Sequence, residues 1–298
     1  MIRLVYLLLI GLFAQYVDGS LGMGYGVSSS SLLLAAGFMP AVVSASVHAA
    51  EVFSSLASSI SHTKAGNVDK GIVIPLSITG VIGGVVGAYF LSNIRGELIK
   101  PFIGVLLLLL GVKIFVRFLW KKSSPLLDSR FSKKFLLPLG FVGGAVDAIG
   151  GGGWGPICTP ALLSTNRTAP RYVVGSVNTA EFFTTVAITI TFAFSLGFDK
   201  FIWGITLPLI IGGLIAAPIA AYTCKRIPSG ALGTAIGAIL ILLNIRSITP
   251  AVTKLFGVDV PVNIMRFMTP GIIGFMLITL LVCVLMKKRF AAKEETES

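Results

Sequence analysis

The sequence predicts an all-α integral membrane protein that consists of two tandem, inverted repeats. Each repeat is predicted to be a broken, re-entrant helix pair followed by three transmembrane helices, with one extra transmembrane helix at the C-terminus. Composition is the first support: 55% of the 298 residues are hydrophobic and 12% are charged, against roughly 25% charged residues in a soluble domain. The second support is an internal repetition that extends over most of the chain.

The predicted spans are the apolar stretches that are long enough to cross a bilayer. The chain has a mean hydropathy of +0.93, and a helix needs about 20 apolar residues to cross the hydrocarbon core. Helix is expected because lipid offers no hydrogen-bond partners to an open backbone. The seven spans are residues 41–61, 71–93, 99–119, 170–194, 201–223, 231–247 and 267–286.

The repetition is visible when the second half of the chain is aligned with the first. The offset between matched residues drifts slowly, from 147 − 18 = 129 through 181 − 51 = 130 to 208 − 75 = 133. A slow drift over more than a hundred residues indicates an internal duplication. The matched pairs include Asp18 and Asp147, Ser46 and Ser176, Glu51 and Glu181, and Pro75 and Pro208.

Each repeat begins with two short apolar arms that flank a glycine-rich break. The arms are residues 4–17 and 27–37 in the first repeat, and 135–148 and 156–166 in the second. Arms of this length are too short to cross a bilayer, so a re-entrant hairpin is expected. The predicted segments are a first repeat (1–120), a basic cytoplasmic linker (121–134), a second repeat (135–248), an extramembrane loop (249–266), a last transmembrane helix (267–287) and a cytoplasmic tail (288–298).

The basic residues predict the topology. They cluster at the ends of the apolar segments, where the positive-inside rule places them on the cytoplasmic side. A repeat with three spans must be inverted relative to its partner, which gives seven spans with the N-terminus outside and the C-terminus inside. An eight-span arrangement is the alternative.

Charge and cysteine usage exclude several functional classes. The net charge of +12 is explained by topology, so a nucleic-acid partner is not expected. The three cysteines have no CxxC spacing and predict neither a disulfide framework nor a zinc site. The chain has only two histidines, His48 and His62, and no evident nucleophile–base set, so we expect no enzyme activity, no metal site and no cofactor.

Four acidic residues lie within apolar segments or at their breaks: Asp18, Glu51, Asp147 and Glu181. Each costs roughly 2.5–3.5 kcal/mol on insertion scales unless it faces a partner or water. Together with His48, on the same helical stripe as Glu51, they are predicted to couple protons or to gate the pathway. Two structural alternatives stay open: Asp18 and Asp147 as helix caps, and the hydroxyl-rich stripe as helix-packing contacts.

The two breaks predict an anion site. The helices that follow them direct free backbone N–H groups and a positive dipole end towards the middle of the membrane, and glycine permits close approach of a ligand. Two breaks at matched positions of an apolar chain are typical of a secondary transporter. The predicted substrate-binding residues are Gly22, Gly24, Tyr25, Gly26, Ser28, Ser29, Gly151, Gly153, Trp154, Gly155, Cys158, Thr159, Ser46, Ser176 and Asn178.

As a set, these features resemble the TauE/SafE family of membrane permeases, also called the sulfite-exporter family. The resemblance rests on the duplicated break, the helix that carries Ser46 and Glu51, the turn at residues 66–69 and the glycine-rich helix at residues 83–87. The second repeat departs from the pattern at Asn178, where the first has His48, and at residues 197–199. The resemblance implies an inner-membrane transporter for sulfur-containing anions such as sulfite, thiosulfate or organosulfonates.

The sequence therefore predicts a multi-pass permease of the cell membrane that moves a small anion by alternating access, with proton coupling as an option. Its expected partners are the small anionic substrate and the lipid bilayer, and a homo-oligomer is left open. The alternatives are a membrane scaffold or assembly protein without transport, and a cation transporter that uses the buried carboxylates.

Overall fold

The computed structural model describes residues 2–35, 37–119, 130–165 and 167–223, with five single positions beyond them (238, 241, 244, 245 and 249). In this part of the chain, every regular element is a helix, which confirms the predicted fold class. The helices are α1 (Ile2–Leu21), α2 (Tyr25–Ala35), α3 (Pro40–Lys64), α4 (Lys70–Asn93), α5 (Gly96–Leu119), α6 (Lys133–Gly150), α7 (Trp154–Leu163), α8 (Pro170–Leu196) and α9 (Trp203–Thr223), with a 3-10 turn at Phe198–Lys200.

Four of the helices are long and apolar enough to cross a membrane: Pro40–Lys64, Lys70–Asn93, Pro170–Leu196 and Trp203–Tyr222. They correspond to four of the predicted spans, and α5 corresponds to the predicted span 99–119. Four predicted segments lie outside the described residues, apart from the five single positions given above. They are the spans 231–247 and 267–286 and the segments 249–266 and 288–298.

Helix α4 has an exposed apolar face and a buried face of small residues. Ile74, Ile78 and Ile82 are about half exposed and follow one another at the helical spacing of four residues. Gly80 and Gly84 lie on the buried face. An apolar exposed stripe opposite a small-residue stripe fits a helix that faces lipid on one side and packs closely against other helices on the other.

The first arm of each broken pair is longer than the sequence analysis predicts. α1 has 20 residues instead of the 14 of residues 4–17, and α6 has 18 instead of the 14 of residues 135–148. At 1.5 Å per residue, α1 is about 30 Å long, as thick as the hydrocarbon core. The prediction of a short first arm is therefore wrong, because both helices extend beyond the predicted arms at each end, and Asp18 continues α1 as a buried polar residue rather than ending it.

The second arms are short, as predicted. α2 has 11 residues and α7 has 10, so each is about 15 Å long and begins two residues earlier than expected. Helix α6 begins inside the predicted linker 121–134, because Ser132 accepts a hydrogen bond from the backbone of Lys134 and caps the helix.

Each repeat packs one of its helices along the first helix of the other repeat. α4 of the first repeat packs along α6 of the second, and α9 of the second packs along α1 of the first. A Cβ at Gly11 would lie 2.8 Å from the Cα of Leu209, and a Cβ at the matched Gly140 would lie 3.1 Å from the Cα of Leu76. Reciprocal contacts between matched positions are what a two-fold relationship between repeats produces.

Helices α3 and α8 occupy matched positions and pack against each other at the centre. The hydroxyl of Ser58 donates to Asn178 at 2.7 Å, while His48, ten residues earlier, lies against Phe192, fourteen residues later, with ring centroids 6.4 Å apart. The two helices therefore run in opposite directions, as the predicted inverted repeats require.

Candidate functional site

Each glycine-rich break begins with one glycine that ends the first arm. Gly22 has φ = +71° and Gly151 has φ = +68°, the left-handed conformation that glycine adopts without steric cost. Gly22 N–H donates to the carbonyl of Asp18 at 2.6 Å, and Gly151 N–H donates to the carbonyl of Asp147 at 2.7 Å. The same residue type at the same place therefore makes the same helix end in both repeats.

The two breaks meet inside the protein. A Cβ at Gly26 would lie 2.5 Å from the Cα of Gly152, so the backbones touch where only glycine fits. The Ser30 hydroxyl donates to the carbonyl of Gly151. The structure thus brings most of the predicted binding residues into one buried region shared by both repeats.

The N-terminus of α7 is occupied by a side chain of the protein itself. Asp147 Oδ1 accepts hydrogen bonds from the backbone N–H groups of Gly153 at 2.7 Å and Trp154 at 3.1 Å. In the first repeat, Asp18 interacts with the backbone N–H of Tyr25. The expectation of free N–H groups at the start of α7 is therefore wrong for Gly153 and Trp154, because Asp147 caps that helix.

His48, Glu51 and Asp147 form a buried cluster across the boundary between the repeats. The Nε2 of His48 lies 3.2 Å from Asp147 Oδ2 and 3.9 Å from Glu51 Oε2. The Nδ1 of His48 lies 2.8 Å from the carbonyl oxygen of Ser44. All three cluster side chains are at most 3% exposed. The sequence predicts that His48 and Glu51 share one helical stripe, but it does not predict the approach of Asp147, which is 99 positions from His48.

The matched position of the second repeat holds Asn178 and uses its polar atoms differently. Its Nδ2 donates to the carbonyl of Val174 at 3.2 Å, and its Oδ1 accepts from Ser58 at 2.7 Å. The neighbouring Glu181 is buried at 6% exposure. The two halves share a backbone arrangement here but differ in chemistry.

Tyr25 and Trp154 are matched, fully buried aromatic residues at the starts of α2 and α7. The Tyr25 hydroxyl donates to the carbonyl of Leu209 at 3.3 Å, and Trp154 Nε1 donates to the carbonyl of Val177 at 3.0 Å. Both rings are held in place by helices other than their own, so they form fixed walls of the central region.

The remaining predicted binding residues have different surroundings. Ser29 is 1% exposed, and its hydroxyl has no hydrogen-bond partner among the residues that the structure describes. Cys158 is a buried, free cysteine.

Ser46 and Ser176 accept hydrogen bonds from the backbone N–H groups of Ile202 and Asp69 at 2.9 and 2.8 Å. These two serines therefore brace matched loops of the opposite repeat, and a role for them in binding substrate stays a prediction. Ser28 is also buried.

The centre of the described structure is acidic. Asp18, Glu51, Asp147 and Glu181 are all buried, whereas no lysine or arginine is buried among the described residues. Buried charges require compensation by pairing or by a bound ion. An anion that enters this region would be repelled by each of these carboxyl groups that is ionised.

Lys113 is not among the predicted site residues and lies within the predicted span 99–119. It borders a groove of about 570 Å³ between α5 and α7, together with Leu109, Val112, Val116, Pro160, Ala161 and Ser164. A lysine inside an apolar span is itself a signal of function or of snorkelling, and that signal was available in the sequence.

Comparison with known proteins gives one matching family and a similar membrane transporter protein. The model of the family described as "Sulfite exporter TauE/SafE" matches residues 7–247. The chain is also similar to the "Probable membrane transporter protein YtnM" of Bacillus subtilis (strain 168), with 47% identity over 249 residues that cover 83% of each chain. No solved structure gives a significant match.

Proposed function

Because the chain belongs to the TauE/SafE family and is a multi-pass membrane transporter rather than an enzyme, we propose that it is a secondary transporter for a small anion. The proposed substrate class is a sulfur oxyanion or organosulfonate, such as sulfite. The family description supports this class, and the proposed site is the region where the two breaks meet. The proposed location is the cell membrane.

The observation that carries the proposal is the Asp147 carboxyl group on the N-terminus of α7. Its Oδ1 accepts hydrogen bonds from two backbone N–H groups, so this helix end holds a carboxyl oxygen. Helix N-termini stabilise anions through free N–H groups and the helix dipole. The substrate would bind beside this carboxyl group or displace it, with the rings of Tyr25 and Trp154 as walls.

The arrangement of the repeats supports alternating access as the proposed mechanism. Two matched halves that meet at a central site can expose it to one side and then to the other by rocking. We propose that His48, Glu51 and Asp147 gate the pathway, since they join α3 of the first repeat to α6 of the second. Asp18 and Glu181 are the proposed proton-coupling groups.

A cation transporter is the second candidate function. The four buried carboxyl groups support it, because no described lysine or arginine is buried to balance them. A panel that contains both anions and cations is therefore needed to separate the two candidates.

Flux into proteoliposomes tests the proposal. The purified chain would be reconstituted, and uptake of radiolabelled sulfite, thiosulfate, an organosulfonate, phosphate and sodium would be compared with and without an imposed pH gradient. Saturable uptake of a sulfur anion, competed by unlabelled anion, is the expected result. Saturable uptake of cations alone would favour the second candidate, and absence of any flux above empty liposomes would contradict both.

A further inference from the structure

We propose that His48, Glu51 and Asp147 together bind one divalent transition-metal ion, such as Zn²⁺, between the two repeats. One ligand atom from each residue lies within 4.8 Å of the other two, and the Nε2 of His48 is 3.2 and 3.9 Å from the two carboxylate oxygens. Ligands bind tetrahedral zinc at about 2.0–2.2 Å, so two ligands of one ion lie roughly 3.3–3.6 Å apart. A closure of about 1 Å between the ligand atoms that are farthest apart completes the site.

His48 is oriented as a metal ligand. Its Nδ1 lies 2.8 Å from the carbonyl oxygen of Ser44, which can only accept a hydrogen bond, so Nδ1 carries the hydrogen. In the neutral ring, Nε2 then presents its lone pair to two carboxylate oxygens. Metal-binding histidines commonly donate their second N–H to a backbone carbonyl in this way.

The two carboxyl groups also fit the role. Asp147 is fixed through Oδ1, which accepts hydrogen bonds from the backbone N–H groups of Gly153 and Trp154. Its other oxygen, Oδ2, faces His48. Glu51 is 3% exposed, and its Oε2 has no hydrogen-bond partner among the described residues. A buried carboxylate oxygen without a partner is costly, and this one points to a ligand because it lies 3.9 Å from the Nε2 of His48.

An ion at this point would explain how an anion binds in an acidic interior. Three protein ligands leave a fourth position of a tetrahedral ion open to water or substrate. An oxygen of the transported anion would take that position, next to the N-terminus of α7. This role rests on the proposed function, whereas binding of the ion does not.

The second repeat lacks the equivalent site. Asn178 replaces the histidine, and its amide is already engaged with Ser58 and Val174. The proposal therefore specifies one ion per chain, and it supplies a substitution that the other repeat already carries at the same place, His48→Asn.

Zinc binding to the purified, chelator-treated full chain in detergent tests the proposal. Elemental analysis should find one Zn²⁺ per chain after dialysis, and calorimetric titration with Zn²⁺ alone should give a single site. His48→Asn and Glu51→Gln should each weaken binding at least tenfold, since even outer-shell changes cost about 10–100-fold in metal affinity.

Two matched variants act as controls. His62→Gln changes the other histidine, whose Nε2 lies 2.9 Å from the carbonyl of Gly19, and Glu181→Gln changes the equivalent carboxyl group of the second repeat. Both should retain native affinity. Size-exclusion profiles and melting curves identify any variant that does not fold. If only one of His48→Asn and Glu51→Gln folds, that variant alone suffices for the test.

Equal Zn²⁺ affinity in the native protein and in a folded His48→Asn or Glu51→Gln variant would overturn the proposal, as would binding of less than one ion per chain. A cluster that holds only a proton would give that outcome. The test is independent of transport: stoichiometric binding without anion flux would leave the ion site standing and reject the anion transporter, and the reverse pattern would reject only the ion site.

Discussion

The hydroxyl of Ser30 donates a hydrogen bond to the carbonyl oxygen of Gly151, 121 positions away in the other repeat. The matched hydroxyl of Thr159 donates to the carbonyl of Gly22, 137 positions away. Each break is therefore tied to the second arm of the opposite repeat by the same contact. These two hydrogen bonds join the two breaks, so a transporter that moves by rocking would have to move the breaks together or separate them.

The reciprocal hydrogen bonds predict matched stability losses. Ser30→Ala and Thr159→Val should each lower the free energy of unfolding by about 1–3 kcal/mol, because each leaves a buried carbonyl without its partner. Thermal unfolding in detergent measures both. A loss in one variant and none in the other would contradict the equivalence, and Ser61→Ala, a half-buried hydroxyl that bonds within its own helix, is the control.

The close contact at Gly26 predicts that a side chain there disrupts the site. A Cβ would lie 2.5 Å from the Cα of Gly152 and 2.9 Å from Glu51 Oε1, so Gly26→Ala must separate the breaks. We expect a flux loss of about 10²-fold, the size of effect that a 1 Å displacement can cause. Gly204→Ala is the control, since nothing lies within 4 Å of its Cβ position. Normal flux in Gly26→Ala would show that the break only bends the chain.

The buried helix cap at Asp147 should contribute more to the free energy of unfolding than an exposed cap does. Asp69 caps α4 through Gly71 N–H at 2.7 Å on the surface, and Asp69→Ala should cost about 1 kcal/mol of stability. Asp147→Ala leaves two buried N–H groups without a partner and should cost more, about 2–5 kcal/mol. The free energies of unfolding of the two variants are measured and compared. Equal losses would argue against Asp147 as the cap of α7.

The carboxyl groups of the two repeats should have separable effects on transport. Glutamine keeps the shape of glutamate but does not titrate. Glu181→Gln is expected to lose the response to an imposed pH gradient while it retains exchange of substrate, because its proposed role is proton coupling. Glu51→Gln should lose both, because Glu51 belongs to the proposed gate. Undiminished pH-driven flux in Glu181→Gln would remove this residue from the coupling mechanism.

The inverted arrangement predicts the sides of the membrane that the loops face. Residues 64–70 and the linker 121–134 should be labelled from the cytoplasm, and residues 250–262 from outside. Single cysteines placed in these segments, after replacement of Cys158, Cys224 and Cys283, would be labelled with a membrane-impermeant maleimide. Cytoplasmic labelling of residues 250–262 would contradict the seven-span topology.

The sequence alone was sufficient for the membrane class, the duplication and the positions of the breaks. Hydropathy and the matched order of Asp18 and Asp147, or of Glu51 and Glu181, are properties of the chain and require no coordinates. The helices α1 and α6 are longer than the apolar runs that predict them, because hydropathy does not mark helix ends: the buried Asp18 continues α1, and the cap at Ser132 starts α6 before its apolar run begins.

Only the tertiary structure decided which distant groups meet. No local pattern shows that Asp147 both caps α7 and lies 3.2 Å from the Nε2 of His48, since this contact depends on how α6 of one repeat packs against α3 of the other. Spacing along a helix predicts neighbours within a few residues, whereas contacts between repeats follow from packing of complementary surfaces. The sequence therefore determined which residues are candidates for the site, and the fold decided which of them lie together.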